Sequence, residues 1–169
     1  MTEKSFLTSG SVNIIGRDLT YNPVLYLKVS DITKENAYDF ASLLSKVIVV
    51  ARTYMCIPTK IETMWVVIDS NYINCIDKIK YIHWALKPLE YLQSIISKVV
   101  WVKPSNNFTN IVKLAKKLGL ISDISMQKFD IVSSSTFEDY DKKLREYWHN
   151  KIDLNYMPKW LGGFRKDII

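Results

Sequence analysis

Three groups of side chains in this sequence are of a type that does chemistry. The first is Asp69, a carboxylate directly after the apolar run Met64 to Ile68. An α/β enzyme can place a catalytic acid at such a strand end, and any α/β protein can place a cap or turn residue there. The second is the hydroxyl run Ser133-Ser134-Ser135 with two histidines, His83 and His149. No Gly-x-Ser-x-Gly elbow surrounds the serines, so they read as a polar loop. The histidines fall on predicted helices without a carboxylate or cysteine at ligand spacing, which argues against a metal site. The third group is physical chemistry rather than covalent chemistry. Phe108, Ile111, Val112, Ala115 and Leu118 recur at helical spacing, with Lys113, Lys116 and Lys117 interrupting or flanking that face. Such a helix can meet acyl chains with one set of residues and anionic headgroups with the other. It can equally be a crossover helix with a solvated lysine face.

The elements that position these residues follow from local pattern. Val12 to Ile15 predicts a short strand, and Gly16-Arg17-Asp18 and Tyr21-Asn22-Pro23 are turn signals. Val24 to Val29 predicts a strand. A helix is expected from Asp31, capped by Thr33, with Phe40, Leu43, Leu44, Val47, Ile48 and Ala51 on one face between Asn36 and Arg52. The near-continuous apolar run Met64 to Ile68 fits a central parallel strand buried on both faces. Ile76 to Ile96 predicts a long helix kinked or divided by Pro88. A β-branched strand from Lys98 to Val102 then ends at Pro104, and Asn107 opens the lysine-bearing helix. Gly119 is suited to its C′ position, and Leu114, Leu120, Ile121 and Ile124 add apolar surface. Phe129 to Val132 predicts the next strand. Thr136 with Asp139 marks a helix start, and Phe137 to Lys151 carries Tyr140, Leu144, Tyr147 and Trp148 as anchors. The order β-β-α-β-α-β-α-β-α is α/β, a mostly parallel sheet flanked by helices.

Composition bounds the rest. The chain of 169 residues is the size of a single domain, and with 48% hydrophobic and 24% charged residues it has the makings of a core. No apolar run reaches transmembrane length, and Met1 to Lys4 lacks the apolar segment of a signal peptide. Cys56 and Cys75 are isolated, which suits free thiols in a reducing compartment and a cytoplasmic location. The net charge of +6 suits an anionic partner. No glycine-rich phosphate loop follows a strand, and the aromatic residues form no stacking platform with interleaved arginine. The excess of lysine is therefore read as facing lipid and not nucleic acid.

Four pieces, in order, carry a family resemblance. They are Asp18 with Asn22-Pro23-Val24-Leu25-Tyr26; Trp65-Val66-Val67-Ile68-Asp69; Val99-Val100-Trp101-Val102-Lys103-Pro104 with Phe108; and Met157-Pro158 with Gly162-Gly163. Together they resemble the CRAL-TRIO lipid-binding domain of the phosphatidylinositol/phosphatidylcholine transfer proteins, over roughly Ile14 to Gly163. The resemblance implies a non-enzymatic domain without a cofactor. It would hold a phospholipid, phosphatidylinositol among the candidates, under an apolar gate helix and exchange it by peripheral contact with anionic membranes. Asn107 to Leu120 would be that gate, with Phe108, Ile111, Val112, Ala115 and Leu118 as its inner face and Lys113, Lys116 and Lys117 as membrane contacts. Gln93, Ser125 and Lys128 stand where phosphoinositide-binding members carry Glu, Thr and Lys for the headgroup. Lys128→Ala is accordingly expected to weaken binding of an anionic phospholipid and leave the fold intact. The sequence departs from the family at Asn22, where Arg is usual, and at Tyr91-Leu92-Gln93-Ser94, where the family has Tyr-Pro-Glu-Arg. The helical region that usually precedes the domain is also short, as expected of a shortened member or a domain cut from a larger chain. The resemblance thus leaves a second possibility: a membrane-targeting or protein-interaction module of a small-GTPase regulator, with no transferable lipid.

Overall fold

The computed structural model describes residues 2–118, 128–134 and 136–166. Gly119, Leu120, Ile121, Ile124, Ser125 and Ser135 lie outside the described residues. Five strands form one sheet in sequence order: β1 (Val12–Arg17), β2 (Pro23–Lys28), β3 (Met64–Asp69), β4 (Ile96–Val102) and β5 (Phe129–Val132). β1 is antiparallel to β2, and every other neighbouring pair is parallel. The described helices are α1 (Glu3–Thr8), α2 (Ala37–Met55), α3 (Ile79–Leu86), α4 (Phe108–Lys117) and α5 (Phe137–Trp148).

The topology divides the helices between two faces. From β2 to β5 each parallel step moves one place in the same direction, so crossovers of one hand lay α2, α3 and α4 on the same side. Side chains alternate across each strand. Leu25, Leu27, Val66, Ile68 and Trp101 therefore pack with Phe40, Leu44, Ile82 and Ile111 on that side. Val24, Tyr26, Val67, Val100 and Val102 pack with Tyr140, Leu144 and Trp148 on the other, under α5 and the C-terminal segment. β3 is the middle strand, and Met64, Val66, Val67 and Ile68 are all buried. This is why its sequence runs apolar without alternation.

Several boundaries differ from the sequence reading. α1 is an additional helix of six residues. Its one buried side chain, Phe6, meets Phe40 edge-on at 5.2 Å, and a single apolar residue makes no periodicity. β1 continues through Gly16 and Arg17 past an irregularity in register, so the turn is Asp18 to Asn22. Thr33 does not cap α2. Asn36 occupies the N-cap, and its side chain folds back to accept from Thr33 N at 2.7 Å and donate to Asp31 O at 2.9 Å. The long helix expected from Ile76 to Ile96 is three pieces and a strand. α3 ends at Leu86, a 3-10 turn runs from Lys87 to Leu92, and Ile96 already belongs to β4. Pro88 has no N–H to donate and crowds the preceding turn, so the α-helix cannot continue through it. The last helix keeps its expected start, with the Thr136 hydroxyl accepting from Asp139 N, and ends at Trp148, three residues earlier than expected.

Candidate functional site

Of the four family-like motifs, two lie on the strands β3 and β4 and the first and last are structural corners. Asp18 accepts from Thr20 N, Asn22 N and Asn22 Nδ2, and the Asn22 amide oxygen accepts from Thr63 Oγ1 at 2.9 Å. Asn22 thus closes the β1–β2 turn with a neutral side chain. Gly163 passes against Met157 so closely that a Cβ there would collide with the Met157 carbonyl. Its N–H donates to Pro158 O, and Arg165 N returns to Met157 O, both at 3.0 Å. The closing Met-Pro…Gly-Gly pattern is the footprint of that close approach.

On the α2–α4 side lies an apolar cavity of about 210 Å³. Its floor is the sheet, through Ile68, Ile96, Val99, Trp101 and Phe129. α3 and the 3-10 turn supply Ile79, Ile82, Leu86 and Leu89. α4 supplies Phe108, Ile111, Val112 and Ala115. These four α4 residues were read from helical spacing, and they do share one face of the helix against the cavity. Leu118 does not join them. It follows the last residue of α4, is 45% exposed and does not line the cavity. At the edge of the stripe and past the end of the helix, it turns outward. Lys113, Lys116 and Lys117 lie on the exposed side of α4.

Trp101 anchors the floor. Its ring lies 4.7 Å from Phe108 and 6.1 Å from Phe129, and its indole N–H donates to Ser70 Oγ at 3.1 Å. α4 lays Phe108, Ile111 and Ala115 against the cavity, all three buried. Side chains such as Phe108 and Ile111, reaching down to the cavity, hold it in place. Where apolar side chains hold a helix, an apolar ligand can take over their packing.

The rim of the cavity is polar. Gln93, Glu90, His83 and Lys128 line it, and Gln93 and Glu90 are exposed, so the rim reaches the surface. His83 Nε2 stands 3.7 Å from the Glu90 carboxylate. The structure brings Gln93 and Lys128 together across 35 residues of sequence: Lys128 Nζ donates to Gln93 O and to Ile96 O, both at 2.7 Å. The amine thereby caps carbonyls where the 3-10 turn meets β4, and of its three N–H donors one remains. Ser125, the third expected headgroup residue, lies outside the described residues. His83, Glu90 and the α3 wall were not singled out as ligand-facing in the sequence. Their apolar neighbours have the spacing of any core helix, and nothing local distinguishes a wall that faces a void from one that faces another side chain.

The arrangement is that of a hydrophobic-ligand site: an apolar chamber, a helical roof and a polar rim with one cation. A family model for the CRAL/TRIO domain matches residues 7–163. No curated protein matches the chain. The match spans the whole sheet, the cavity and the closing glycines, and the chain belongs to the CRAL/TRIO domain family, which binds lipids and other hydrophobic ligands.

Proposed function

We propose that the domain holds one phospholipid with an acyl chain in the cavity and the headgroup at the Gln93–Lys128 rim, and exchanges it at membrane surfaces. The observation that carries this reading is the apolar chamber roofed by α4, whose Phe108, Ile111, Val112 and Ala115 face it. Its volume of about 210 Å³ is below the roughly 300–1,000 Å³ of drug-sized ligand pockets. A two-chain lipid therefore requires α4 to move outward. Burying about ten methylenes gains roughly 8 kcal/mol, which offsets the apolar packing that α4 gives up as it leaves.

In this reading the single remaining N–H of Lys128 and the side chain of Gln93 take the headgroup phosphate and its substituents. Phosphatidylinositol is one candidate, because Gln93 can hydrogen-bond hydroxyls without repelling a phosphate. The chain makes and breaks no covalent bond. It docks peripherally, and its two free cysteines, Cys56 and Cys75, suit the cytoplasm. Native mass spectrometry of the purified protein, followed by organic extraction and lipid identification, tests the proposal. One phospholipid per chain is the expected result. An unliganded mass with no uptake from mixed liposomes would overturn it and favour the protein-interaction module of a small-GTPase regulator.

A further inference from the structure

A second, polar pocket of about 600 Å³ lies on the other side of the sheet. It sits at the carboxyl ends of the parallel strands β2 and β3. Lys28 and Asp69 are the last residues of β2 and β3, and Lys103 follows β4. By alternation Lys28 is in phase with Val24 and Tyr26, and Asp69 with Val67, all on the α5 side. The turn after α1 and the C-terminal segment, with Trp160, Arg165 and Lys166, complete the pocket.

Among the described lining residues there are four cations, Lys28, Lys103, Arg165 and Lys166, and one carboxylate. That carboxylate is committed. Asp69 is 1% exposed and accepts from Tyr26 Oη at 2.8 Å, Asn71 N at 2.7 Å and Lys103 Nζ at 3.1 Å. It fixes the lysine and leaves no lone carboxylate aimed at the pocket. Lys103 adopts a left-handed backbone, φ 49°, uncommon for a residue with a side chain. The Ser70 hydroxyl holds that turn by donating to Lys103 O at 2.7 Å. The amine lies 5.6 Å from the centre of the Trp160 ring, which itself packs edge-on to Tyr26. Arg165 spends one N–H on Ile15 O at 3.1 Å and has four others. Lys28 pairs at 3.2 Å with Asp31, which does not line the pocket.

We propose that this juxtaposition of Lys28, Lys103, Arg165 and Lys166 around the buried Asp69 is a binding site for a phosphate-bearing ligand, separate from the apolar cavity. Arg and Lys are the phosphate-binding side chains, and with Asp69 and Asp31 set against Lys103 and Lys28 the two positive charges left over match those of one phosphate group. Its volume lies within the roughly 300–1,000 Å³ range of small-ligand sites. The ligand is either a free phosphorylated molecule or the phosphorylated headgroup of a membrane lipid.

Titration calorimetry of the full chain with inorganic pyrophosphate and with inositol trisphosphate tests the first source. Co-flotation with phosphatidylcholine vesicles, with and without a phosphoinositide, tests the second. The double variant Lys28→Gln/Arg165→Gln is expected to lose at least about tenfold in affinity for whichever probe binds, a change of about 1.4 kcal/mol. Lys113→Gln on α4 is expected to leave the free-anion affinity unchanged. Phospholipid occupancy of the cavity, read by extraction from the same samples, is expected to stay as in the parent chain, so this site and the cavity fail independently. If the double variant melts early, the exposed Lys166→Gln replaces it, with the same direction of effect expected. Failure of every probe to bind the parent chain, or parent-like affinity in folded pocket variants, would overturn the proposal.

Discussion

Lys128 has two duties at the rim, and they can be separated. Its amine holds Gln93 O and Ile96 O, so Lys128→Ala removes two charge-assisted hydrogen bonds, one exposed and one half-buried. A loss of roughly 1–3 kcal/mol in stability is expected from a urea titration, together with weaker binding of an anionic phospholipid. The carbonyl cap adds this stability cost to the expected loss of lipid binding, with the fold still intact. Gln93→Ala leaves the backbone carbonyl in place and removes only an exposed side chain, so it is expected to weaken lipid binding with an unchanged denaturation midpoint. Unchanged stability in Lys128→Ala would show that the carbonyl cap contributes nothing. Asp130 gives a residue-scale prediction in pH. Burial alone would raise its pKa, but hydrogen bonds from Lys98 and Tyr147 and the charge of Lys98 outweigh burial, and the carboxyl titrates below its ordinary value. A group with a depressed folded pKa stabilises the fold above its unfolded value and loses that contribution as pH falls through the folded one. Stability is therefore expected to hold from neutral pH to about pH 4 and to fall below it. Asp130→Asn should flatten that acid limb, as read from thermal melts across pH; an identical limb would remove Asp130 from acid unfolding.

The elements show which parts of the fold were readable from local pattern. β3 and the buried face of α2 were legible because burial leaves a period or an uninterrupted run, and both survive in the structure. Gly162-Gly163 was legible only as a motif. Its cause, the Met157 carbonyl lying where a Cβ would stand, is a tertiary fact. Gly163→Ala is expected to destabilise by about 1–3 kcal/mol, since overpacking a fixed backbone contact has that magnitude; a melting temperature equal to that of the parent would mean the C-terminal segment can yield. The stretch from Ile76 to Ile96 misled because Ile96 continues the apolar spacing of Leu89 and Leu92, although the chain has already become β4. The four cavity-facing residues of α4 were legible from spacing, but not the void beneath them, which depends on α3 standing across from α4. Val112 is half-buried and lines that void. Val112→Phe should fill part of it, reducing phospholipid occupancy with a melting temperature equal to or above that of the parent. Undiminished occupancy would place the acyl chain elsewhere. The polar pocket was invisible to any such reading. Lys28, Lys103 and Arg165 are separated by tens of residues; the parallel register of β2, β3 and β4 brings the two lysines together, and the C-terminal segment returns Arg165 to them.

At the scale of the whole molecule, the two faces of the sheet carry pockets of opposite chemistry, and the net charge of +6 acts on both. If α4 is the roof that opens, the lysines on its exposed side reach a membrane before its apolar face does. Each lysine near an anionic surface contributes about 1 kcal/mol. The two substitutions Lys113→Gln and Lys117→Gln should then cost roughly 2 kcal/mol, about thirtyfold in affinity for anionic vesicles. The attraction is screened over about 10 Å at 0.1 M salt. Raising the salt should therefore slow lipid exchange by the parent chain toward the rate of the double variant, while the variant responds weakly. The substituted side chains lie outside the cavity, so the amount of lipid extracted from the purified variant should match the parent. A fluorescence assay of lipid transfer between vesicles, run with neutral and with anionic acceptors over a salt series, separates these effects. A variant slow only toward anionic acceptors locates the docking step on α4. A variant that transfers as the parent does would place docking on another surface and leave α4 a wall of the cavity and not its door.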